Sequence, residues 1–564
     1  MGSIGPNTET RDSLVDWQAK VTHKQQQCRD AIPREWQVPP QVLKLLEFPL
    51  DKKPNRLIDL DVVRKTGILS DRELALTEKY TVPELLAELA SGHLTSVEVT
   101  TAFSKRAAVA QQLTSCLTET FFDQALERAR YLDQNRSEGK LVGPLHGLPI
   151  SLKDSFQVAG TEASIGFVSF LGKKSTENSP IVDILLSLGA VPYVKTNIPM
   201  TLMTADSDNN IFGRTLNPHN TALNAGGSSG GEGALVALRG SPLGVGTDVA
   251  GSIRIPSLCC GAYGFKPTSS RIPYGGQATP GLPGWKPITA CAGPLANDFE
   301  ALEIFTKAVI DSIPGALDST AIDVPWRQLD PITDSKLRIG VLAEDPSYPL
   351  HPPVKRALAE AVQRIQADGH EVIQLSAEQG HVADATEVAA KLFSLETGTS
   401  AGHIKASGEP PVPSVAAQYQ PANRGEKSFV PDISKLGKLQ QYAALTVKRQ
   451  DLSEDWRRLW SGLKLDAVLG PPAQNTAVPH DTFGWPPYTA HLNLLDYPAC
   501  VIPFSKTSKQ LDHEPFIIQP DQAGPCYDPE VQDGAPCSIQ VFTGRMRDEE
   551  CIRVARIIDR CLSA

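Results

Sequence analysis

The stretch AGGSSGGEGALVALRGSPLGVGTDVAGSIRIPSLCCGAYGFKPT, residues 225–268, is the part of the chain that decides the fold. The segment from Gly226 to Gly264 contains eleven glycines, a density far above the roughly 7% average of proteins. Glycine allows positive φ and lets the backbone approach a ligand closely. A flexible linker is excluded because apolar residues such as Leu235 and Val245 recur between the glycines and need burial. The stretch therefore predicts a buried scaffold that presents backbone N–H groups.

The nucleotide-binding glycine motifs do not fit this stretch. It contains no GxxxxGK[ST] phosphate loop. Gly244 and Gly246 begin a GxGxxG pattern, but Val249 stands where the third glycine belongs. We therefore expect neither a nucleotide nor any other organic cofactor.

A superficial match to a hydrolase motif lies at 227–231, where GSSGG satisfies the GxSxG nucleophile elbow and makes Ser229 a candidate nucleophile. Such a pattern arises easily by chance in a Gly/Ser-rich loop. The elbow also needs an acid and then a histidine further along the chain. The histidines available there are His480, His491 and His513, none in a recognisable context. An α/β-hydrolase-type esterase with Ser229 as nucleophile stays an alternative.

The composition is that of an ordinary globular protein of 564 residues, with 41% hydrophobic and 21% charged residues. The formal charge of −10 is spread along the chain without a basic block, which argues against nucleic acid or an anionic membrane as partner. No stretch approaches the roughly 20 apolar residues of a membrane span. The most apolar region, 233–252, is interrupted by Arg239 and Asp248.

The amino terminus and the cysteines predict a cytoplasmic protein. The chain begins without the charged start and apolar run of a secretory signal, and Pro6 stands where a myristoylation motif requires Ser or Thr. The ten cysteines are scattered, with no CxxC pair and no Cys/His cluster at zinc spacing. We therefore expect reduced, mostly buried thiols and no metal site.

Strand and helix patterns alternate along most of the chain. Strand patterns include 148–156 and 337–342, and long helical patterns cover 384–405 and 437–464. This alternation predicts an α/β fold in which a sheet lies between layers of helices.

The ends and one internal segment differ from this pattern. Residues 1–75 are predicted to form a helix over 8–30 and then a Pro-containing extended arm. Thr81 and Glu84 form a potential capping box that opens the first helix after the arm. The Pro/Gly-rich segment 408–434 is interpreted as an insertion or flap.

The stretch 225–268 resembles the defining sequence of the amidase signature family. Three further blocks of that family follow in the expected order, namely GPLHGLPISLKDSF (143–156), VKTNIPMTLM (194–203) with NPHN (217–220), and GAPCSIQVFTGR (534–545). The segment LTSVEVTTAF and the phrase KASGEPPVP resemble the fungal acetamidases most. The resemblance implies a large mixed twisted β-sheet sandwiched between α-helices, in a single catalytic domain at 76–560 that hydrolyses a carboxamide.

The resemblance also implies a Ser-Ser-Lys triad. Ser252 is expected to be the nucleophile, and Ser228, expected on a cis peptide, to relay the proton to Lys153. A serine hydroxyl needs a neighbouring base, and lysine can serve only if burial lowers its pKa toward neutrality. Lys153 follows the apolar strand LPISL, which would desolvate it. If Lys153 were only structural, His146 would be the next candidate base.

The same resemblance assigns substrate-binding residues. Val249, Ala250, Gly251 and Ser252 match the oxyanion segment, with Ala250 in place of a frequent glycine, and Leu202 is expected to line the acyl pocket. We expect Ser228 and Ser252 to contact the substrate as well.

Other residues near these motifs are given structural roles. Asp248 and Arg254 are expected to hold the oxyanion turn by side-chain hydrogen bonds. Asp206 and Asp208 are interpreted as residues that cap a turn rather than as a wall of the acyl pocket. Met200 departs from the residue common in the family, which leaves the substrate open.

Two further functions compete with a standalone amidase. One is an amidotransferase subunit that passes ammonia to a partner, and the other is a non-catalytic amidase-like binding protein. Retention of Lys153, Ser228 and Ser252 together argues against the second. The substrate could be a short aliphatic amide, a fatty amide or an intermediate of secondary metabolism. Many members of the family are dimers, so a homodimer is compatible with the resemblance.

Overall fold

The computed structural model describes residues 9–330, 336–417 and 420–563. Their strands form one eleven-stranded sheet in the order β1-β3-β2-β4-β6-β5-β10-β11-β9-β7-β8. The strands are β1 Leu117–Thr120, β2 Pro149–Lys153, β3 Val191–Thr196, β4 Leu243–Asp248, β5 Tyr263–Lys266, β6 Cys291–Ala296, β7 Arg338–Val341, β8 Glu371–Gln374, β9 Ala467–Gly470, β10 Ala499–Lys506 and β11 Pro536–Phe542.

The sheet is mixed, as the sequence predicts. Strand β2 is parallel to both of its neighbours, β3 and β4, and β7 is parallel to β8 and β9, whereas the other pairs are antiparallel. Every residue of β2, β3, β4, β6, β9 and β11 is buried. Since successive side chains point to opposite faces, other parts of the chain cover both faces of the sheet.

Helices supply that cover. Those of the described residues are α1 Glu9–Asp30, α2 Pro40–Leu43, α3 Val62–Lys65, α4 Asp71–Glu78, α5 Val82–Ser91, α6 Ser96–Thr114, α7 Phe122–Ser137, α8 Pro180–Ser187, α9 Gly230–Ala237, α10 Arg254–Cys260, α11 Glu300–Asp311, α12 Pro352–Ala367, α13 Ala377–Gly380, α14 Val382–Ser394, α15 Gly398–Ser407, α16 Pro413–Ala416, α17 Lys438–Leu463, α18 Pro487–Leu495, α19 Pro529–Gln532 and α20 Asp548–Ser563. No helix of the described ranges is long and apolar enough to cross a membrane.

Local signals explain several boundaries. The predicted capping box opens α5, where the Thr81 side chain accepts the Glu84 N–H and the Glu84 carboxylate accepts the Thr81 N–H at 2.8 Å. The helical pattern at 384–405 is two helices, because α14 ends at Ser394 and α15 begins at Gly398. Glycine is a poor residue for a helix interior, so a break there is favoured over one continuous helix.

The segment after α1 is not the extended arm that the sequence predicts. It folds into the short helices α2, α3 and α4, and its Trp36, Val42 and Leu57 are buried in the main hydrophobic core. Pro40 stands at the start of α2, where its fixed φ favours a helix. The proposed boundary at residue 75 stays a prediction, and residues 1–8 lie outside the described ranges.

The segment 408–434 also stays a predicted insertion or flap, and its residues 418–419 lie outside the described ranges. Its first part is held firmly. The Glu409 carboxylate accepts hydrogen bonds from the Val168 N–H at 2.8 Å and from the Asn210 side chain at 2.9 Å. Val412 is buried among apolar residues that include Phe167.

The central strands bring the predicted motifs together. Strands β2 and β4 lie side by side in parallel, with Leu152 opposite Val245, so the carboxyl ends of both strands meet at one edge. Helix α9 packs closely over β4 because Gly244 has no side chain. A Cβ atom at Gly244 would lie 2.0 Å from Oε2 of Glu232 in α9. The glycine-rich stretch is therefore a packing device as well as a source of exposed N–H groups.

Candidate active site

Lys153 is the last residue of β2 and is completely buried. Its Nζ donates hydrogen bonds to Ser228 Oγ and to Thr247 Oγ1, each at 2.7 Å. Burial lowers the pKa of the amine from 10.5 to about 7, although the nearby Asp248 and Glu232 carboxyls oppose that change. The amine is therefore poised to take up and release a proton near neutral pH.

The partners of Lys153 suit an uncharged amine. No carboxylate of the described residues lies within ion-pair distance of its Nζ, and both hydrogen-bond partners are hydroxyls. An ammonium carries three N–H donors, whereas a neutral amine has two and a lone pair that can accept from a hydroxyl. Two hydroxyl neighbours fit the neutral amine, with Ser228 able to reverse the direction of its bond.

The loop that leads into α9 carries Ser228 and Ser229. The peptide bond between Gly227 and Ser228 is cis, as the resemblance implies. The Ser229 hydroxyl points back to β4, where it donates to the Thr247 carbonyl at 3.4 Å and accepts the Thr247 N–H at 3.3 Å. Ser228 therefore faces Lys153, while Ser229 is fully buried against the strand.

The turn after β4 contains Ser252 and is organised by the Asp248 carboxylate. One Asp248 oxygen accepts the Gly251 N–H at 2.8 Å, and the other accepts the Ile253 N–H at 3.1 Å. Burial alone would raise the pKa of this carboxyl, but the Arg254 guanidinium and the other donors hold the pKa well below its ordinary value. Asp248 is therefore ionised and clamps the turn from inside.

Arg254 is a buried hub behind the same turn. Its guanidinium donates to Asp248 from Nε at 3.1 Å and from Nη2 at 3.0 Å. It also donates to the Asn493 side chain at 2.5 Å, to the Thr489 carbonyl at 3.1 Å and to the Gln540 side chain at 2.9 Å. The expected role of Asp248 and Arg254 in holding the turn is confirmed, and the hub extends that hold to α18 and β11.

The backbone N–H groups of this turn are not equivalent. The sequence predicts that the Gly251 N–H is a donor to the oxyanion. In the structure this N–H already donates to Asp248, so it is not free for that role. The N–H groups of Val249, Ala250 and Ser252 form no hydrogen bond within the described part of the chain. Gly251 contributes its conformation instead, with φ +132°, and a Cβ there would lie 2.3 Å from the Thr489 hydroxyl.

Ser252 lies in contact with the loop that carries Ser228 and Ser229. Its carbonyl accepts the Ser229 N–H at 3.2 Å, which joins the 248–253 turn to the start of α9. Ser252 is 8% exposed, and its hydroxyl makes no hydrogen bond to any residue of the described ranges. Ser252 is thus a mostly buried serine with an uncommitted hydroxyl, on a turn that is bonded to the loop of Ser228 and Ser229. Catalytic hydrogen bonds often form only once substrate is bound.

Comparison with known proteins agrees with this geometry. A family model described as Amidase matches residues 98–552. An amidase of Gibberella moniliformis is 39% identical over 98% of this chain and 99% of its own length, and an acetamidase of Aspergillus oryzae is 36% identical over 97% and 99%. A solved fatty acid amide hydrolase is 30% identical and superposes with a TM-score of 0.85 over 99% of this chain and 97% of that chain.

The chain belongs to the amidase family. It is therefore an enzyme that hydrolyses amides by a serine-based mechanism, and the amidase signature fold predicted from the sequence is confirmed. The elbow-type esterase and the non-catalytic binding protein are not favoured.

The amidase has an apolar wall near the predicted acyl site. Leu202 packs in a cluster with the buried side chains of Ile165, Phe167, Ile198 and Met200. Ile404 of α15 and Val412 reach the same cluster, so the segment after residue 398 covers part of this wall. The role of Leu202 in binding the acyl group stays a prediction.

The sequence interpretation expects Asp206 and Asp208 to cap a turn. In the structure they form an ion-pair cluster instead. Both bind Arg214, at 2.5 Å from Asp206 and 2.8 Å from Asp208, and Asp481 joins them at 2.9 Å. These groups are mostly buried, and a buried carboxylate needs a cationic partner. The cluster therefore fixes the loop that lies under the Gly227 backbone, where a Cβ would contact the Thr204 carbonyl at 2.4 Å.

Two residues near Lys153, Thr247 and Glu232, were not predicted from the sequence as part of the site. Thr247 shares Lys153 with Ser228, and the buried Glu232 carboxyl accepts hydrogen bonds from Ser151 at 2.6 Å and Thr196 at 2.9 Å. Burial raises the pKa of Glu232 to about 7, although those hydroxyls and Lys153 act in the opposite direction. A signal existed for Glu232, since it is an acidic residue four positions after Ser228 in a glycine-rich, largely apolar stretch.

The histidines singled out from the sequence do not act as a base for Ser228, Ser229 or Ser252. His146 accepts the Val142 N–H through Nδ1, and His491 and His480 bond to backbone carbonyls. None forms a hydrogen bond to Ser228, Ser229 or Ser252 in the described part of the chain.

One cluster could be considered for a metal ion. Within the described ranges, Asp368, His370 and Cys561 bring a carboxylate, a ring nitrogen and a thiol within 4.8 Å of one another. The His370 Nδ1 accepts the Leu337 N–H, so neutral His370 carries its proton on Nε2, the atom that faces Asp368. A ligand nitrogen needs a free lone pair, so this geometry does not fit a metal well.

Proposed function

We propose that the amidase cleaves carboxamides through an acyl-enzyme on Ser252, with Ser228 and Lys153 as the proton pathway. The observation that carries this proposal is the 2.7 Å hydrogen bond between the fully buried Lys153 amine and the Ser228 hydroxyl, together with the uncommitted hydroxyl of Ser252. A neutral amine in a dry site is a base strong enough to activate a serine through a second hydroxyl.

In the first half of the reaction, the Ser252 oxygen attacks the amide carbonyl carbon. The Ser252 proton passes to Ser228, whose own proton passes to the lone pair of Lys153. The carbonyl oxygen becomes an oxyanion, and the free N–H groups of Val249, Ala250 and Ser252 are the donors that we assign to it. Backbone donors that are fixed before the reaction stabilise such charge without reorganisation.

In the second half, the C–N bond breaks and the amine leaves with the proton that Lys153 held. A water molecule then attacks the acyl carbon and gives a proton back along the same path. The Ser252–acyl bond breaks, which releases the carboxylic acid and restores the hydroxyl. Lys153 gains and then loses a proton once in each half of the cycle, so a pKa near 7 suits both directions.

We further propose an apolar acyl group in the substrate. The support is the wall formed by Leu202 and its buried apolar neighbours Phe167 and Met200. The relatives are named for substrates from acetamide to fatty acid amides, so acyl length is the open variable. A cytoplasmic location is part of this proposal, supported by ten cysteines without a disulfide. A homodimer stays a prediction.

The test is to map the reactive serine with a fluorophosphonate label and mass spectrometry in the parent, Ser252→Ala and Ser229→Ala proteins. We expect the label on Ser252 in the parent, no label in Ser252→Ala, and labelling in Ser229→Ala. Ser229→Ala is the matched control because it removes a neighbouring hydroxyl. Labelling of Ser229 in the Ser252→Ala protein would support the nucleophile elbow instead.

Substrate preference is measured separately on a panel of straight-chain primary amides from acetamide to hexadecanamide. An apolar acyl wall predicts that kcat/KM rises with the first added methylene groups, because each buried CH₂ contributes about 0.8 kcal/mol. A preference for acyl groups that carry a charge would contradict the proposed wall.

A further inference from the structure

A cleft of about 290 Å³ lies at the far end of α9 from Ser228. One side is the segment Leu57–Arg64 after α2, and the other is the turn 237–239 that ends α9. Ile58 and Arg64 are exposed, so the cleft opens to solvent. Its volume corresponds to roughly ten water molecules, which suits a ligand of a few heavy atoms.

The charged side chains that line the cleft are three arginines and two acids, so one positive charge is not balanced. Arg64 pairs with Asp61 at 3.1 Å and with Glu78 at 2.6 Å. Arg106 shares Glu78, at 2.9 Å. These two arginines are thus balanced by the two acids. Arg239 also lines the cleft and forms no ion pair with the described residues, so the net charge of the lining is +1.

Arg106 presents a free donor to this space. Only 7% of it is exposed. Its Nε donates to the Leu238 carbonyl at 2.5 Å, and its Nη1 donates to the Thr77 hydroxyl and the Glu78 carboxylate, each at 2.9 Å. Its Nη2 donates to no residue in the ranges that the structure describes. The Nη2 amino group of this mostly buried guanidinium is therefore free to donate to an anion that enters the cleft.

Arg239 occupies a backbone position that favours glycine. It follows the last turn of α9 with φ +56°, and the N–H groups of Arg239 and Gly240 close the helix on the Val236 and Leu235 carbonyls. Glycine is the usual residue at such a helix end because it adopts positive φ without strain. This helix end fixes the backbone position from which the Arg239 side chain lines the cleft.

We propose that this cleft binds a small monoanionic carboxylate with a short apolar tail. The Arg106 and Arg239 guanidiniums would receive the carboxylate, since both line the cleft. Burial lowers the pKa of Arg106, and the nearby charge of Arg239 lowers it further. Leu57, Val62 and Leu238 supply an apolar wall for the tail. A charge of +1 matches a monoanion better than a dianion. The carboxylic acid released by amide hydrolysis belongs to this chemical class.

The test is isothermal titration calorimetry with butyrate on the full chain and on Arg239→Gly. The variant removes the guanidinium and places glycine where the backbone favours it, so it should fold at least as well as the parent. Lys464→Gly is the matched control, because Lys464 is an exposed cation at the end of α17 with φ +51°. Phosphate is an anion without an apolar tail, and n-butanol is an apolar tail without a charge. Titrations with each therefore separate the contribution of the anion from that of the tail.

We expect a saturable butyrate site with a dissociation constant on the order of 1 mM in the parent. Arg239→Gly should weaken that site at least tenfold, while Lys464→Gly leaves it unchanged. Butyrate bound as product near Ser252 is insensitive to Arg239, so it appears as a component common to all three proteins. The proposal is overturned if Arg239→Gly binds butyrate as the parent does, or if the parent shows no saturable site. It is also overturned if phosphate binds as tightly as butyrate.

Discussion

Replacing Lys153 by methionine should abolish amide hydrolysis and at the same time stabilise the protein near neutral pH. Burial lowers the pKa of this lysine from 10.5 to about 7. Each pH unit of such a change corresponds to 1.36 kcal/mol, so the folded state is disfavoured by about 5 kcal/mol below pH 7 relative to strongly alkaline pH. Methionine has a similar length and flexibility and carries no charge.

The sign follows from proton binding. Between about pH 7 and pH 10.5, the unfolded chain keeps a proton on Lys153 that the folded protein has released, so the free energy of unfolding of the parent rises with pH across this window. The Lys153→Met protein lacks that rise. The difference between the two proteins therefore falls by about 1.4 kcal/mol for each unit of increasing pH.

The size of the effect at pH 7 is the balance of two contributions. Removing the amine relieves about 5 kcal/mol, but it leaves the Ser228 and Thr247 hydroxyls without their partner. Each unsatisfied buried group costs about 1–2 kcal/mol, which leaves a net stabilisation of about 2 kcal/mol. For a chain of 564 residues this corresponds to a rise in the melting temperature on the order of 2 °C. The advantage should vanish near pH 8.5 and reverse above it.

The assay is thermal unfolding of the parent and Lys153→Met at a fixed heating rate between pH 6 and pH 9. Lys195→Met is the matched control, because Lys195 is equally buried but lies 3.4 Å from the Asp154 carboxylate. Removing Lys195 leaves a buried charge unpaired, so that variant should melt several degrees lower. If Lys153→Met melts as low as Lys195→Met, with a difference from the parent that does not change with pH, then Lys153 is not a desolvated neutral amine.

Three further outcomes follow from the same site. The kcat/KM of the parent should rise tenfold per pH unit up to about pH 7 and then level off. The kcat/KM of Lys153→Arg should be at least a thousandfold lower than that of the parent, because guanidinium cannot release its proton. A flat pH profile, or an active arginine variant, would show that Lys153 is only structural. Glu232→Gln removes a carboxylate that raises the pKa of Lys153, so the rising limb should move to lower pH by up to about one unit; an unmoved limb with a reduced plateau would mean that Glu232 only packs. Dialysis against EDTA should leave the kcat unchanged, and activity lost there and restored by a divalent ion would contradict the metal-free mechanism.

The sequence predicts the contact between Lys153 and Ser228 because this geometry is set at the ends of neighbouring strands. Lys153 is the last residue of β2 and Thr247 the last but one of the adjacent parallel strand β4, and Ser228 precedes the helix that packs on them. Glycines at fixed positions specify that close packing, as Gly244 does beneath Glu232. Once such a pattern is present, little freedom remains in where the side chains point.

The parts that the sequence does not predict depend on distant partners. Asp206 and Asp208 are interpreted as turn caps because each is judged from its neighbours, yet Arg214 draws them together with Asp481. The Gly251 N–H is expected to face the oxyanion, but the clamp on it comes from a side chain whose orientation is fixed by contacts with α18 and β11. Ion pairs of this kind carry no signature in a local pattern.

The Arg254 hub has a consequence for how the enzyme is made. A ribosome that has synthesised the chain through Arg254 has already produced Lys153, Ser228 and Ser252. The residues that lock Arg254 in place, at Thr489–Asn493 and Gln540, appear only near the end of synthesis. The turn that contains Ser252 can therefore gain these contacts only after nearly the whole polypeptide has been completed.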